Sequence, residues 1–539
     1  MLGSGHKLPR DASMPYTLGP KSAPAAIPFN MRGRDTTVVR IPLKSAKHHF
    51  GTATARGTRP YNEDTDQAGT IDMPAFAKRP PMSLIHPGNQ KYAEVTPADS
   101  SFGDPQIFYF AVFDGHGGNQ CSQFLKDELH GYIEEASFVL GLQSSLGKKK
   151  PGRKPAEGKP GTEKPAAPER SAEDVVAEES GPPILDEEEP EPGTDGSGAS
   201  EEIKHAPAIQ GANPIPTRVR NVSAAVKKLQ ELVDEYRFTV AGYFRRFHPV
   251  NFHLDPTDDP TAPQVSIETV LEYAFLRADL DFVVAQARKP DPDDATASEA
   301  PYNADEILGA PHATPLGHQI GGKARFKGGS TGSVALLSTP TPMPYWHPAA
   351  HATLLIAHVG DTRIVLCETA TGKPIPVTSD HHPTTPTESK RLRRYAPAGS
   401  MVSGDSFGEE RIAGLANSRA FGDMEFKRVG VSAEPEVTRL DMSPAQYSFL
   451  VLCSDGVSST LSDQEIVDVI KEARTPEQGA RDVVNFATEV SKNGDNATCS
   501  VVRLGGWERR SEGGTGSLGT KEFRDARRAE ALDPRSRKR

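Results

Sequence analysis

The chain has 539 residues and a formal net charge of −10, and its 48 Gly and 47 Pro crowd the N-terminal stretch, the middle and the C-terminal end. Its 4 cysteines, Cys121, Cys367, Cys453 and Cys499, stand far apart with no CxxC, which fits neither a disulfide framework nor a zinc site and suits a reducing compartment. No sustained basic face argues for nucleic acid, and no apolar run approaches the roughly 20 residues of a membrane span, so a soluble protein is expected; an intracellular location and a monomer are expected as well.

Length suggests several domains, but the placement of Gly and Pro favours one large domain of about 300 ordered residues carrying long disordered additions. Residues 1–47 hold eight Lys or Arg against two Asp and read as a disordered basic segment. An acid-poor start of this kind admits a mitochondrial transit peptide, against which its prolines count because they spoil the amphipathic helix; cytoplasm or nucleus is the expectation otherwise.

Pattern begins near His49, and residues 48–504 read as one domain. Arg56 to Asp64 (RGTRPYNED) packs two cations and two acids around a turn. A surface ion pair worth little fits that spacing, and so does a phosphate-binding guanidinium beside a metal-facing carboxylate. Residues 71–105 read as a polar excursion. Phe108 to Phe113 then carries the aromatic and β-branched residues of a buried strand, which ends in Asp114-Gly115-His116-Gly117-Gly118. A carboxylate and an imidazole on a glycine turn at a strand end can reach one point; the plainer reading makes Asp114 a cap for a helix Gln120–Glu135.

Residues 148–202, inside a wider insertion 143–217, pass from Lys/Pro/Gly-rich to strongly acidic (Asp186-Glu-Glu-Glu-Pro-Glu-Pro). They cannot bury enough apolar surface to offset their ordering entropy and read as a disordered charged insertion. Residues 219–248 form an amphipathic helix, with apolar positions from Val222 to Phe247 at spacings of three and four, and Ser266–Val284 a second helix capped by Ser266. Strands Thr331–Leu337, Thr353–Val359 and Ile364–Cys367 follow, the last two joined by Gly360-Asp361-Thr362-Arg363. A short basic helix covers Glu388–Tyr395, and Leu415–Asp423 is a compact turn-rich motif. Strand Tyr447–Cys453 ends in Ser454-Asp455-Gly456. Helices Ser462–Ala473, with a Ser462/Glu465 capping box, and Pro476–Lys492 lead to Asp495-Asn496 and a last strand Ala497–Leu504. Residues 505–539 read as a flexible basic tail.

Acids therefore recur at strand termini: Asp114, Asp361, Asp455 and, at a strand's start, Asp495. Clustered carboxylates repel one another unless something positive sits between them, and divalent metal is the natural counter-charge. Oxygen-only donors favour hard ions such as Mg2+ or Mn2+ over zinc, and two such ions would activate water for attack on a phosphoryl group.

Eight motifs stand in order: RPYNED at 59–64, FDGHGG at 113–118, TGSVA at 331–335, VGDTR at 359–363, ANSRAFGD at 416–423, PEV at 435–437, CSDGV at 453–457 and GDNAT at 494–498. Together they resemble the metal-dependent protein serine/threonine phosphatases of the protein phosphatase 2C type, and the layout looks most like fungal members. The resemblance implies an α+β fold, a four-layer α-β-β-α sandwich of two antiparallel sheets with flanking helices. It implies phosphoprotein substrates, hydrolysed at phosphoserine or phosphothreonine by direct attack of water activated at a binuclear Mg2+ or Mn2+ centre, with a third, weaker ion in many members. By the same resemblance Asp114 bridges the two metals with the Gly115 carbonyl on one of them, Asp455 and Asp495 ligate the second, Glu63 acts through a water, and Asp361 serves the third. Arg59 resembles the guanidinium that holds the substrate phosphate, and His116 the general acid that protonates the departing oxygen. Three departures stand out. Val457-Ser458-Ser459 replaces the Trp and Asp that often follow the late Asp-Gly and removes a third-metal ligand there. Ser333-Val334-Ala335 varies the strand motif, and the flap stretch 422–434 is short.

Two rival readings carry their own signatures. An inactive pseudophosphatase, a binding module on the same fold, predicts a lost metal ligand, yet Asp114, Asp455 and Asp495 are all present. Gly328 to Gly332 matches the G-x-S-x-G of serine hydrolases around Ser330, but a polar stretch precedes it, a β-like run follows, and His382 is the last histidine in the chain.

Overall fold

The computed structural model describes residues 49–79, 104–146, 222–254, 265–289, 322–395, 414–491, 494–511 and 516–532, with short pieces at 291, 314–315, 320, 402–404 and 410–412. The readings of residues 1–47 and of the insertion 148–202 fall outside the described residues.

Strands β1 (Phe50–Ala55), β2 (Thr65–Ile71) and β3 (Ile107–His116) precede helices α1 (Gln120–Val139), α2 (Val222–Thr239) and α3 (Ile267–Ala287). Next come β4 (Gly329–Ser338), β5 (Ala352–Val359), β6 (Arg363–Glu368), β7 (Pro374–Pro376), α4 (Pro386–Arg393), the pair β8 (Val402–Gly404) and β9 (Glu410–Ile412), and β10 (Phe421–Gly422). The chain continues through β11 (Glu436–Met442), β12 (Tyr447–Cys453), the single turn α5 (Asp455–Ser458), α6 (Asp463–Glu472), α7 (Pro476–Val490), β13 (Ala497–Arg503) and α8 (Gly516–Leu532). One sheet runs β1-β13-β12-β6-β7 and the other β11-β5-β4-β3-β2, with β10 added beside β4. Every pairing between these strands is antiparallel.

The layers follow from which side chains alternate. On β3, Phe108, Phe110 and Val112 pack between the sheets against Ile364, Leu366, Leu450 and Leu452. Tyr109, Ala111 and Phe113 point the other way, onto α1 and α3. On β12, Phe449, Val451 and Cys453 meet Ile466, Val467, Ile470, Val483 and Val484 of α6 and α7. The result is the expected four layers, helices, sheet, sheet, helices. Strands covered on both faces read as continuous apolar runs, so the sequence reveals the strands while hiding which residue faces which layer. Truncating a ring such as Phe110, which is 0% exposed, to Ala costs about 3–5 kcal/mol. The Ser462/Glu465 capping box forms at the start of α6, worth about 1 kcal/mol.

Three readings are corrected. The helix expected over 219–248 stops at Thr239; Ala241 (φ 57) and Gly242 (φ 56) turn the chain into a 3-10 segment, Gly242–Arg246. A Cβ at Gly242 would sit 2.5 Å from the Arg428 carbonyl, so only glycine allows this approach. Tyr243, Phe244 and Phe247 remain buried, which is why their spacing mimicked one long helix. Residues 71–79 are not a polar excursion, because Met73, Ala75, Phe76 and Ala77 are buried and the Ala75 amide donates to Asp104 Oδ2 at 2.8 Å. The C-terminal stretch is no loose tail over 516–532. There α8 rests on α7 with Arg524 over the Phe486 ring at 5.0 Å, while Arg527 donates to the Thr460 carbonyl at 2.8 Å. Arginine contacts of this kind leave no apolar periodicity in the sequence. Among the described residues no helix is long and apolar enough to cross a membrane.

Candidate active site

Strand register brings the sequence motifs to one end of the sandwich. Asp114 lies opposite Thr331 near the end of β3, Cys453 opposite both Arg363 and Cys499, and Ala55 opposite Ala497. The residues just beyond those positions, Arg59, Glu63, Asp64, Asp361, Asp455 and Asp495, are thereby collected around Asp114. Close backbone approaches make the turns possible. A Cβ at Gly115 would sit 2.5 Å from the Glu63 carbonyl, and one at Gly456 would collide with the Asn496 carbonyl.

The carboxylates feel one another strongly. Burial pushes the Asp114 carboxyl well above its ordinary range, and the charges of Asp455, Asp64 and Asp361 push it further. Asp455 is raised to about 7, by burial first and then by Asp361; its amide points at Asp114 Oδ2, 3.3 Å away. Asp64, 6% exposed, is raised to about 6 by burial, with the Ser454 hydroxyl at 2.8 Å as partial compensation. Its other oxygen, Oδ1, is buried without a hydrogen-bond partner.

Arg59 and Asp495 meet directly: Arg59 Nη2 donates to Asp495 Oδ2 at 2.8 Å, with the guanidinium side chain 48% exposed. Asn496 ties this corner together, its Nδ2 donating to the Arg56 and Tyr61 carbonyls and its Oδ1 accepting from the Glu63 amide at 2.8 Å. The Glu63 carboxylate accepts from the Gly118 amide.

His116 is held by a further carboxylate, Asp423. Its Nε2 lies 2.9 Å from both carboxylate oxygens of Asp423. Burial alone would lower its pKa, but Asp423, with Asp361 and Glu63 behind it, raises it overall. Asp423 is 2% exposed and sits in the left-handed region at φ 46, a conformation that asparagine and aspartate tolerate better than most. Sequence reasoning missed two of these residues as site members, Asp64 and Asp423, although both lie inside quoted motifs. It also weighed a cap that does not form, since the N-cap position of α1 is held by Asn119 and Asp114 takes no part. Ser330 is buried on β4 with its hydroxyl on the Asp114 and Thr331 carbonyls, which removes the hydrolase elbow.

The donor set fits a divalent cation. Several carboxylates share one low-dielectric corner, one buried oxygen of Asp64 has no partner, and the donors are all oxygen, which suits Mg2+ or Mn2+. Among the described residues no three groups already converge into a finished cage, so the carboxylates stand close enough to disturb one another without closing on a point.

The family model of Protein phosphatase 2C matches residues 315–496. Protein phosphatase 2C homolog 4 of Schizosaccharomyces pombe is 35% identical over 474 residues, spanning 88% of this chain and 84% of that protein. Protein phosphatase 1K, mitochondrial, of Xenopus laevis is 36% identical over 155 residues, 29% of this chain and 40% of that protein. A solved serine-threonine phosphatase 2C from Toxoplasma gondii aligns at 15% identity and a TM-score of 0.41, covering 84% of this chain and 94% of that one; so low a score adds nothing to the strand order above. The chain belongs to the protein phosphatase 2C family of metal-dependent serine/threonine phosphatases and resembles its fungal members.

Proposed function

We propose that residues 48–504 form a catalytic domain that hydrolyses phosphoserine and phosphothreonine in phosphoproteins. Asp114 and the Gly115 carbonyl, Asp455, Asp495 and, through a water, Glu63 would hold two Mg2+ or Mn2+ ions, and Asp361 a third, weaker one. The observation that carries this reading is the crowding of the strand-end carboxylates, with the Asp455 amide 3.3 Å from Asp114 Oδ2 and, among the described residues, Arg59 at Asp495 as the one cationic contact of the cluster. When bound, the ions supply charge neutralisation and an acidified water for in-line attack on phosphorus. With Asp495 committed to holding an ion, the Arg59 guanidinium would be available to fork onto two phosphate oxygens of the substrate. With the Nε2 proton engaged by Asp423, the Nδ1 proton of the His116 imidazolium is the one available to the departing serine or threonine oxygen.

Hydrolysis of p-nitrophenyl phosphate and of a phosphothreonine peptide, measured with Mn2+, Mg2+ or EDTA on wild type and Asp455→Ala, tests this reading. Metal-dependent turnover that the variant loses is expected. No turnover on either substrate with any metal would overturn it in favour of an inactive pseudophosphatase that binds without hydrolysing. The compartment is a separate question. The basic residues 1–47 and the name of the Xenopus relative make mitochondrial import the first address to test against cytoplasm and nucleus, with a fluorescent fusion.

A further inference from the structure

The 3-10 segment Gly242–Arg246, Tyr395 beyond the end of α4, and a second 3-10 segment, Met424–Val429, enclose a cavity of about 410 Å³. Arg245, Arg246 and Arg428 line it together with Tyr243 and Tyr395. A chain of net charge −10 thus gathers three guanidinium groups on one concave surface. Arg245 and Arg246 are exposed, and neither pairs with a carboxylate among the described residues. Two like charges side by side at Arg245 and Arg246, with no carboxylate partner among the described residues, cost free energy, the same reasoning that reads the carboxylate cluster as a cation site, with the sign reversed.

The lining is held in place before any ligand arrives. The Tyr243 and Tyr395 rings lie 4.2 Å apart, and Arg391 covers Tyr243 from within at 5.3 Å. The Tyr395 hydroxyl donates to the Arg246 carbonyl at 2.9 Å, and Arg428 Nε to the Val240 carbonyl at 3.0 Å. Gly242 packs against the Arg428 backbone, locking the two 3-10 segments to each other. The cavity connects to the catalytic corner through one element. Asp423, which holds His116, immediately precedes the segment that carries Arg428. Five residues at the 3-10 rise of about 2.0 Å span about 10 Å. An extended peptide, advancing about 3.3 Å per residue, crosses that distance and the adjoining side chains in roughly three to five residues.

We propose that this arginine pocket docks an acidic segment of the phosphoprotein substrate, with Asp or Glu side chains about three to five residues from the phosphorylated residue; the inference rests on reading the carboxylate cluster as the phosphatase site. Guanidinium forks match carboxylates in geometry as well as charge, and the tyrosine rings give the peptide an apolar floor. Docking of this kind selects substrates by their flanking charge, a choice the metal site cannot make because every phosphorylated serine or threonine looks alike to it.

The experiment compares kcat/KM for two phosphothreonine peptides that differ only in Glu or Gln at the third to fifth positions on either side of the phosphothreonine. Wild type, R245E/R246E and R245K/R246K are assayed, with circular dichroism to establish that the variants fold. Wild type should prefer the Glu peptide by about tenfold at low salt, mostly through KM, and lose that preference as salt rises. The Glu variant should abolish or invert the preference, and the Lys variant should keep part of it. Equal kcat/KM for the two peptides in wild type, or a preference that survives in R245E/R246E, overturns the proposal. Fluorescence anisotropy with the Glu peptide carrying Ala in place of phosphothreonine reads docking without turnover. If the protein hydrolyses nothing yet binds this peptide in wild type and not in R245E/R246E, the phosphatase reading falls and the docking pocket stands. Unchanged peptide binding in the variant, including the case where only phosphatidylserine vesicles are lost, overturns the pocket as a peptide site.

Discussion

Two acidic centres in this molecule are handled in opposite ways. Glu388 on α4 is 0% exposed, and its carboxylate takes Arg391 at 2.8 Å, Arg419 at 2.7 Å and the Ser418 hydroxyl at 2.6 Å. Burial alone would raise its pKa, but the two arginines override it and hold the carboxyl far below its ordinary range. At the strand ends, Asp114, Asp455 and Asp64 are also withdrawn from water, yet their pKa values rise, because the neighbours are other carboxylates. A buried acid that the chain neutralises itself is a fastener; one left unneutralised is a socket for charge from outside.

Substitutions should separate the two behaviours. Asp455→Ala should cut metal-dependent turnover by at least about 10⁴-fold, roughly 5.5 kcal/mol in barrier, while the metal-free variant unfolds at a temperature equal to or above that of wild type. A variant that lost stability along with activity would erase the distinction. Glu388→Gln should do the reverse, destabilising the fold by about 3–5 kcal/mol in denaturant unfolding because two largely buried arginines lose their charged partner. The protein that remains folded should keep its metal response, and a loss of less than about 1 kcal/mol would show the arginine pair to be dispensable.

The pH response sharpens the comparison further. The folded pKa values of Asp455, about 7, and Asp64, about 6, lie above the unfolded value of about 3.9. Their contribution to stability is complete below about pH 4 and is lost as pH rises through about 6 to 7. Glu388, depressed, contributes above its unfolded value of about 4.3 and loses that contribution as pH falls. Melting temperatures in EDTA should therefore decline between about pH 4 and pH 7, and saturating Mn2+ should remove the decline; parallel curves with and without metal would refute the socket. The smallest effect is expected at Asp423→Asn. It should slow an alkyl phosphate about tenfold, roughly 1.4 kcal/mol, and p-nitrophenyl phosphate much less, since an aryl leaving group needs no proton. Equal losses on both substrates would remove the His116–Asp423 pair from proton delivery.

Much of this was legible in the sequence because apolar runs that end in Asp-Gly or Gly-Asp mark both a strand and what its tip carries. What stayed hidden depends on partners far away in the chain. Asp64 acquires meaning from Ser454, 390 residues on, and Asp423 from His116, 307 residues back. Neither acid differs locally from a solvated turn residue. The edge strands β1, β2 and β11 lacked the aromatic density that exposed β3 and β12, and α8 was invisible because arginine stacking carries its attachment.

Among the described residues β1 has β13 as its only neighbour in the sheet, with Phe50 opposite Val502, and the corner that carries Arg59 is tied to Asp495 and Asn496. Arg56 and Asn496 are 440 residues apart, which at about 5–20 residues per second is roughly 20–90 s of ribosome time. Throughout that interval the first strand is an orphan edge and the centre has no second wall. The nascent protein therefore has an unfinished active site until β13 emerges, and β1, the first strand among the described residues, waits unpaired in its sheet until then.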